Sequence, residues 1–232
     1  ISVDVGTCAR EADKLLHPFR TTNQLRRPYV ILKWAQSVDG FISKENRQSK
    51  ISNMFSDRLV HKWRAESDAI MIGTNTAIVD NPSLTTRLYP GESPLRITID
   101  RHQRIPSEHK IFSDGHLTSL FTTRVRASLP TNVQQIVMPK QESTLNLAFM
   151  MSHLYELGIS RLLVEGGSQL IQSFLDQGIW DECRRITSPL SLLSGISAPK
   201  ISMECESKER MLDDIIEQYR NTTESKVSNR LA

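Results

Sequence analysis

Residues 162–178 read LLVEGGSQLIQSFLDQG, and the rest of the chain can be organised around them. Arg161–Val164 is a short apolar run, the length of one buried strand. Glu165-Gly166-Gly167 breaks it. Ser168 is a good N-cap residue, and Leu170, Ile171, Phe174 and Leu175 then recur at helical spacing until Gly178 stops the helix. The pattern is strand, glycine turn, helix. Two glycines let another group approach the backbone closely. Free N–H groups at a helix start attract anions, and an acidic residue at the strand end can address a substrate hydroxyl. These features suit a phosphorylated ligand or a dinucleotide. A plain strand-to-helix turn would carry the same residues, since glycine is common there. The motif is neither G-x-G-x-x-G nor a P-loop, because no Gly-Lys-Ser/Thr follows.

Upstream, Tyr29–Ala35 (YVILKWA) is a strongly apolar strand interrupted by Lys33. Ser37-Val38-Asp39-Gly40 is a turn and Phe41–Ser43 resumes extended structure. Glu45–Lys50 is a polar loop, and Ser56 is placed to cap a helix carrying Leu59, Val60 and Trp63. Asp68–Ile72 predicts a strand ending at Gly73, and Asn75–Val79 a short helix stopped by Asp80-Asn81-Pro82. Leu95–Asp100 (LRITID), Leu117–Thr123 and Gln135–Met138 predict three more strands, and Leu145–Leu157 a helix closed by Gly158. Downstream come a strand at Glu182–Thr187, a loop at Pro189–Pro199 and a last strand at Ile215–Tyr219. Alternating strands and helices predict an α/β protein with a largely parallel sheet; late strands without helices between them predict an antiparallel edge. At the start, Ser2–Val5 alternates like a strand, and Cys8–Phe19 reads as a helix with Ala9, Ala12, Leu15 and Leu16 on one face. Thr21–Arg27 is polar and reads as a linker, and the segment after Asn221 is expected to be disordered.

The 232 residues suffice for one large α/β domain or two small ones. Lys and Arg number 29 against 26 acidic residues, a net +3 that is too mild to argue for nucleic acid. No apolar run reaches membrane-spanning length, and no signal peptide is expected from the opening residues. Cys8, Cys183 and Cys205 are odd in number and widely spaced, as expected of reduced cytoplasmic thiols without a zinc motif or a disulfide framework. No metal is expected.

Several side chains are candidates for chemistry. Lys33 interrupts an apolar strand, where burial would lower its pKa and make it a usable proton donor or a hydrogen-bonding clamp. A snorkelling lysine explains the same pattern. Arg64 and Arg87 have the planar fork that grips phosphate, although surface arginines need no such role. Asp39-Gly40 is first a hairpin signal and Asp80 first part of a helix stop. The six histidines are scattered and none pairs at metal-ligand spacing.

Taken in series, PYVILKWAQSVDG (28–40), SKIS (49–52), WRAESDAIMIGTNTAIVDNPSLTTR (63–87), PLRITID (94–100) and LLVEGGSQLIQSFLDQGIWDE (162–182) resemble the reductase domain of the bifunctional riboflavin-biosynthesis deaminase/reductases. The likeness covers roughly residues 27–219. It implies a dihydrofolate-reductase-like fold with helices flanking a mostly parallel sheet. It also implies NADPH-dependent reduction of the ribosyl group of 5-amino-6-(5-phosphoribosylamino)uracil to the ribityl form. Residue by residue, it implies that Ala35, Thr76 and Asp80, the run from Gly167 through Ser168, Gln169 and Leu170 to Ser173, and Thr122 belong to the cofactor site. It places Ser49, Arg64, Leu84, Arg87 and Glu165 at the substrate, with Lys33 facing it. Lys33 and Glu165 are the expected catalytic pair. Thr122, Thr123 and Arg124 are the expected holders of the cofactor's 2′-phosphate. The family often has Ser-x-Trp-Ile-Thr where this chain has Ser49-Lys50-Ile51-Ser52, without the aromatic.

The resemblance divides the chain into residues 1–26, the tail of a preceding deaminase domain with its linker, a reductase domain at 27–221, and a tail at 222–232. The deaminase zinc signature His-x-Glu with Pro-Cys-x-x-Cys is absent, so that half either lies upstream or has been lost. A homodimer or higher homo-oligomer is expected, with a phosphorylated pyrimidine as substrate and no nucleic-acid or membrane partner. The competing readings are a diaminopyrimidine reductase acting before deamination, a dihydrofolate reductase, or a non-catalytic nucleotide-binding or dimerisation module.

Overall fold

The computed structural model describes residues 2–45, 49–139 and 145–221. Its frame is a nine-stranded sheet. Seven strands are parallel: β1 (Tyr29–Ser37), β3 (Ala69–Ile72), β4 (Leu95–Ile99), β5 (Thr118–Thr122), β6 (Val133–Val137), β7 (Arg161–Glu165) and β8 (Glu182–Ser188). The edge is made by β11 (Asp214–Arg220), antiparallel to β8, and β10 (Ser207–Met211), antiparallel to β11. The order is β10-β11-β8-β1-β7-β3-β4-β5-β6, so β7 is the central strand. Its residues Leu162, Leu163 and Val164 are fully buried, which is why this strand reads as a continuous apolar run without alternation.

Two cores lie on the two faces of the sheet. On one, Val30, Leu32, Trp34, Leu162 and Val164 pack with α5 (Leu147–Glu156) and α6 (Ser168–Asp176). On the other, Ile31, Leu163, Ile70 and Ile72 pack with α2 (Met54–Ala65) and α3 (Thr74–Asp80) through Val60, Trp63 and Ala77. This division positions the site. The helix following β3 lies on one face and the helix following the adjacent β7 on the other, so the chain diverges at their C-terminal ends. That divergence opens a crevice where open α/β sheets bind ligands.

From Tyr29 onward the expected strands and helices are present with ends shifted by a residue or two, and Leu170, Ile171 and Phe174 are buried as the spacing predicted. Four local expectations are corrected. Ser2–Val5 forms no strand and has no ladder partner among the described residues. Thr21–Arg27 is not irregular throughout: α1 (Ala9–Leu25) extends to Leu25, and Arg26 caps it. Two of its polar side chains bond back to the helix, Thr22 Oγ1 donating to Pro18 O at 2.9 Å and Asn23 Nδ2 to Phe19 O at 2.8 Å. The cap of α2 is Asn53, whose side chain accepts from the N–H groups of Phe55 and Ser56, while Ser56 itself lies inside the helix. Asp39-Gly40 makes a turn but no hairpin, because β2 (Phe41–Ser43) pairs with β9 (Ile196–Ser197) instead of β1. Asp39 is spent on holding the 191–193 loop through Ser191 Oγ and the N–H groups of Leu192 and Leu193.

Strands β9 and β10 and the short α4 (Lys110–Ser113) were not expected from the sequence. The segment expected to be disordered after Asn221 lies outside the described residues, as do residues 46–48 of the polar loop.

Candidate active site

The parallel register of β1 on β7 sets Lys33 opposite Glu165. Both side chains point to the face covered by α2, as their spacing from Ile31 and Leu163 requires. The Lys33 and Glu165 side chains are each 12% exposed, and Lys33 Nζ lies 3.9 Å from Glu165 Oε2. From α2, Arg64 reaches the same carboxylate with both arms, Nε to Oε1 at 2.8 Å and Nη2 to Oε2 at 2.9 Å. Its remaining arm, Nη1, donates to Thr85 O at 3.3 Å. One carboxylate thus serves two cations, and the trio carries a net positive charge that favours an anionic ligand.

The electrostatics follow from burial and pairing. Burial alone would raise the Glu165 pKa, but Arg64 and then Lys33 outweigh it and hold it down to about 2. Burial lowers the Lys33 pKa, and Glu165 opposes this only in part. Lys33 Nζ donates no hydrogen bond among the described residues, so its donors remain available to a ligand.

Arg64 differs from the expectation of a free phosphate fork: its fork is closed on Glu165. Arg87 fits that part better. Its side chain is exposed on the loop after α3, with no hydrogen bond or ion pair to the guanidinium among the described residues. Leu84 is buried at 3% exposure and holds φ +58°, a left-handed conformation uncommon for leucine. Its side chain is in the core, so only its backbone faces outward. Ser49 accepts the N–H of Lys44 at 3.1 Å, and Lys50 pairs with Asp57 at 3.2 Å.

Two residues beyond Glu165, at Gly167, a cleft of about 570 Å³ begins, the size of a small-ligand site. Its walls include Gly73, Thr74, Asn75 and Thr76 from the start of α3, and Gly167, Ser168, Gln169, Leu170 and Ser173 from the start of α6. Gly167 N donates to Thr76 Oγ1 at 2.9 Å and ties the two turns together. The first intrahelical bond of α6 is Ile171 N to Gly167 O, so the N–H groups of Ser168, Gln169 and Leu170 precede the ladder. Ser168 is the first helical residue and not the cap, which is Gly167, with φ −66°. Neither glycine of the turn uses a positive φ. What glycine provides is room: a Cβ at Gly167 would stand 3.3 Å from Thr76 Oγ1.

Ala35, Asp80 and Thr122 do not line this cleft. Ala35 packs against the α2-side core, and Asp80 sits at the far end of α3, its pKa raised by burial. Thr122 is fully buried and spends its hydroxyl on Arg124 O, while Thr123 Oγ1 donates to Arg101 O. The basic residues at the cleft are instead Arg101 and Arg104, with His102 between them, from the loop after β4, and Arg104 Nη2 donates to Asn75 Oδ1 at 2.9 Å. No motif in the sequence marks these three, nor His61, one helical turn before Arg64 on α2. For His61 the signal is its spacing of three residues from Arg64, which places both on one face.

The donor set fits a dinucleotide: helix-start N–H groups, a glycine turn that a Cβ would crowd, and cations at the same cleft. Residues 28–213 match the family described as RibD C-terminal domain, and the chain belongs to that family. It is 34% identical over 203 residues to the riboflavin biosynthesis protein RibD of Aquifex aeolicus, covering 85% of this chain and 56% of the relative. It therefore spans little more than half of that protein. It is 33% identical over 197 residues to the 2,5-diamino-6-ribosylamino-4(3H)-pyrimidinone 5′-phosphate reductase of Methanothermobacter thermautotrophicus, covering 82% and 89% of the two chains. The crystal structure of a Thermotoga maritima deaminase/5-amino-6-(5-phosphoribosylamino)uracil reductase superposes with a TM-score of 0.81 at 26% identity, over 91% of this chain and 62% of that one. A dihydrofolate reductase of Enterococcus faecalis shares the fold, with a TM-score of 0.50 at 13% identity over 83% of this chain and 95% of that one. No helix among the described residues is long and apolar enough to cross a membrane.

Proposed function

We propose that residues 27–221 reduce the ribosyl group of 5-amino-6-(5-phosphoribosylamino)uracil to the ribityl group, with NADPH as reductant, in riboflavin biosynthesis. The observation that carries this reading is adjacency: Gly166 alone separates Glu165, in its buried ion cluster, from Gly167 at the cofactor cleft. The names of the relatives support the substrate class, and the unpaired cysteines support a cytoplasmic setting.

The nicotinamide, when bound, supplies a hydride to the first carbon of the sugar in its open-chain imine form. The chain's own residues do the rest. The α6 N–H groups and Gly167 would hold the cofactor's pyrophosphate, and Arg101 and Arg104 would take its 2′-phosphate. Lys33, whose lowered pKa makes it a ready donor, gives a proton from Nζ to the imine nitrogen as that nitrogen gains the electron pair of the C=N bond. Glu165 holds Lys33 and Arg64 in place and accepts from a sugar hydroxyl. Arg87 takes the substrate phosphate bidentately. Positioning of the donor against the carbon supplies much of the rate.

The test is NADPH oxidation by the purified chain, followed by absorbance, with the deaminated substrate and in parallel with its undeaminated precursor. Oxidation no faster than the substrate-free rate with either would reject the enzyme. Oxidation with the precursor alone would move the reaction ahead of deamination. NADPH binding without turnover would leave only a nucleotide-binding module.

A further inference from the structure

We infer that His61 is a positioning residue of the substrate site: its Nδ1 accepts the backbone N–H of Arg87 and fixes the loop from which the Arg87 guanidinium projects. The inference rests on the proposed phosphate contact of Arg87.

The geometry is specific. The Arg87 N to His61 Nδ1 distance is 2.9 Å, and His61 is 6% exposed. Residues 81–87 have no regular secondary structure, so their conformation depends on such ties. Leu84 anchors the loop with a buried side chain, Arg64 Nη1 holds Thr85 O, and Ser93 Oγ accepts from Thr86 N at 3.0 Å. Of these ties, His61 alone acts on Arg87 itself. His61 and Arg64 thus staple consecutive parts of one loop to one face of α2, while Arg64 also grips Glu165. The phosphate-binding arginine and the carboxylate beside Lys33 are thereby referred to the same helix. Because Nδ1 accepts, the ring is neutral with its proton on Nε2.

This arrangement carries a pH consequence. Protonation at Nδ1 would turn an acceptor toward an N–H donor and break the tie. The charged groups around the ring are Asp57 and Arg64 on its own helix, Arg87 on the loop and Glu165 on β7. Burial first, then the Arg64 and Arg87 cations, lower the His61 pKa, with Glu165 and Asp57 opposing. The tie therefore holds at neutral pH and opens in acid.

Steady-state kinetics of the full chain with NADPH and the deaminated substrate test it, using His61→Leu, His61→Asn and Arg87→Ala. Asparagine offers Oδ1 where Nδ1 stood. His61→Leu should raise KM for the phosphorylated substrate about tenfold, the scale of one lost hydrogen bond. Its kcat and NADPH affinity should change little, and a dephosphorylated analogue should be unaffected. His61→Asn should restore most of the parent KM and remove its rise in acid, a rise that sets in below the ordinary histidine value because burial and the two arginines lower the His61 pKa. If Arg87→Ala leaves KM unchanged, the phosphate reading of Arg87 is wrong. If Arg87→Ala raises KM but His61→Leu does not, the positioning role of His61 is wrong. Should His61→Leu fail to fold, the pH profile of His61→Asn decides: a profile that still rises in acid like the parent's overturns the inference.

Discussion

Glu165 faces Lys33 across the β1–β7 ladder at 3.9 Å, yet both oxygens of its carboxylate are held by the Arg64 fork at 2.8 and 2.9 Å. The lysine is therefore close enough to feel the charge and too far to share the hydrogen bonds. This separates two tasks. Arg64 fixes the carboxylate, and Lys33 keeps its donors for a ligand.

Replacing Glu165 by Gln should then do two things at once. It removes the one negative charge between two buried cations, and breaking such a pair costs about 3–5 kcal/mol. It also removes the charge that supports the Lys33 ammonium, so the Lys33 pKa should fall further. The expected result is a clear loss in urea-unfolding stability together with a reduced kcat/KM, while NADPH affinity stays near the parent value. A variant as stable as the parent would show that the cluster is solvated and its charges weakly coupled.

Acid should weaken the fold in two stages. The pKa of Glu165 is held at about 2 against an ordinary 4.5, so the folded state binds the proton less readily than the unfolded chain. Its contribution, on the order of 3 kcal/mol, is complete above pH 4.5 and lost as pH falls toward 2. His61, lowered from 6.5, follows the same sign: its contribution is complete above pH 6.5 and lost as pH falls to its folded value. Unfolding free energies measured across this range should decline from about pH 6.5. His17, likewise lowered from 6.5 by burial, also contributes to the upper stage. His61→Asn should therefore diminish that stage while leaving the lower one in place.

Cofactor choice should lie in the loop after β4. Replacing Arg101 and Arg104 together by Ala should raise KM for NADPH by about tenfold to a hundredfold, the scale of charge-assisted hydrogen bonds. NADH, which lacks the 2′-phosphate, should be used no worse than before. Equal losses with both cofactors would place these arginines elsewhere than on the 2′-phosphate.

The parts of this architecture that local chemistry dictates could be read from the sequence. Continuous apolar runs marked β1, β3 and β7, the 3.6-residue spacing marked α6, and Lys33 stood out because an ammonium inside YVILKWA must be explained. Elements made by tertiary pairing could not. Strand β10, SKERM, has no apolar alternation and exists because β11 offers it a ladder. The pairing of Arg64 with Glu165 spans 101 residues and no local pattern encodes it. Thr122 was a plausible hydroxyl at a strand end, but its strand buries it, and the adjacent strand's loop supplies the cations.

The glycine turn after β7 gives the sharpest separation of cofactor binding from folding. Gly167 lies past the C-terminal end of the central strand of the sheet, on the cleft wall, with φ −66° that any residue can adopt. Substitution therefore brings no backbone strain. It brings a contact: a Cβ would stand 3.3 Å from Thr76 Oγ1, tight enough that the threonine must give by a few tenths of an ångström. Gly167→Ala should be absorbed by that small shift and weaken NADPH only slightly. Gly167→Val adds two further carbons that must enter either Thr76 or the cleft, and overpacking of this kind costs about 1–3 kcal/mol. NADPH affinity should fall about tenfold to a hundredfold, read by fluorescence titration, with the circular dichroism spectrum unchanged. A Gly167→Val protein that binds NADPH like the parent would mean that the start of α6 does not anchor the cofactor, and the cleft between β3 and β7 would have to serve some other ligand.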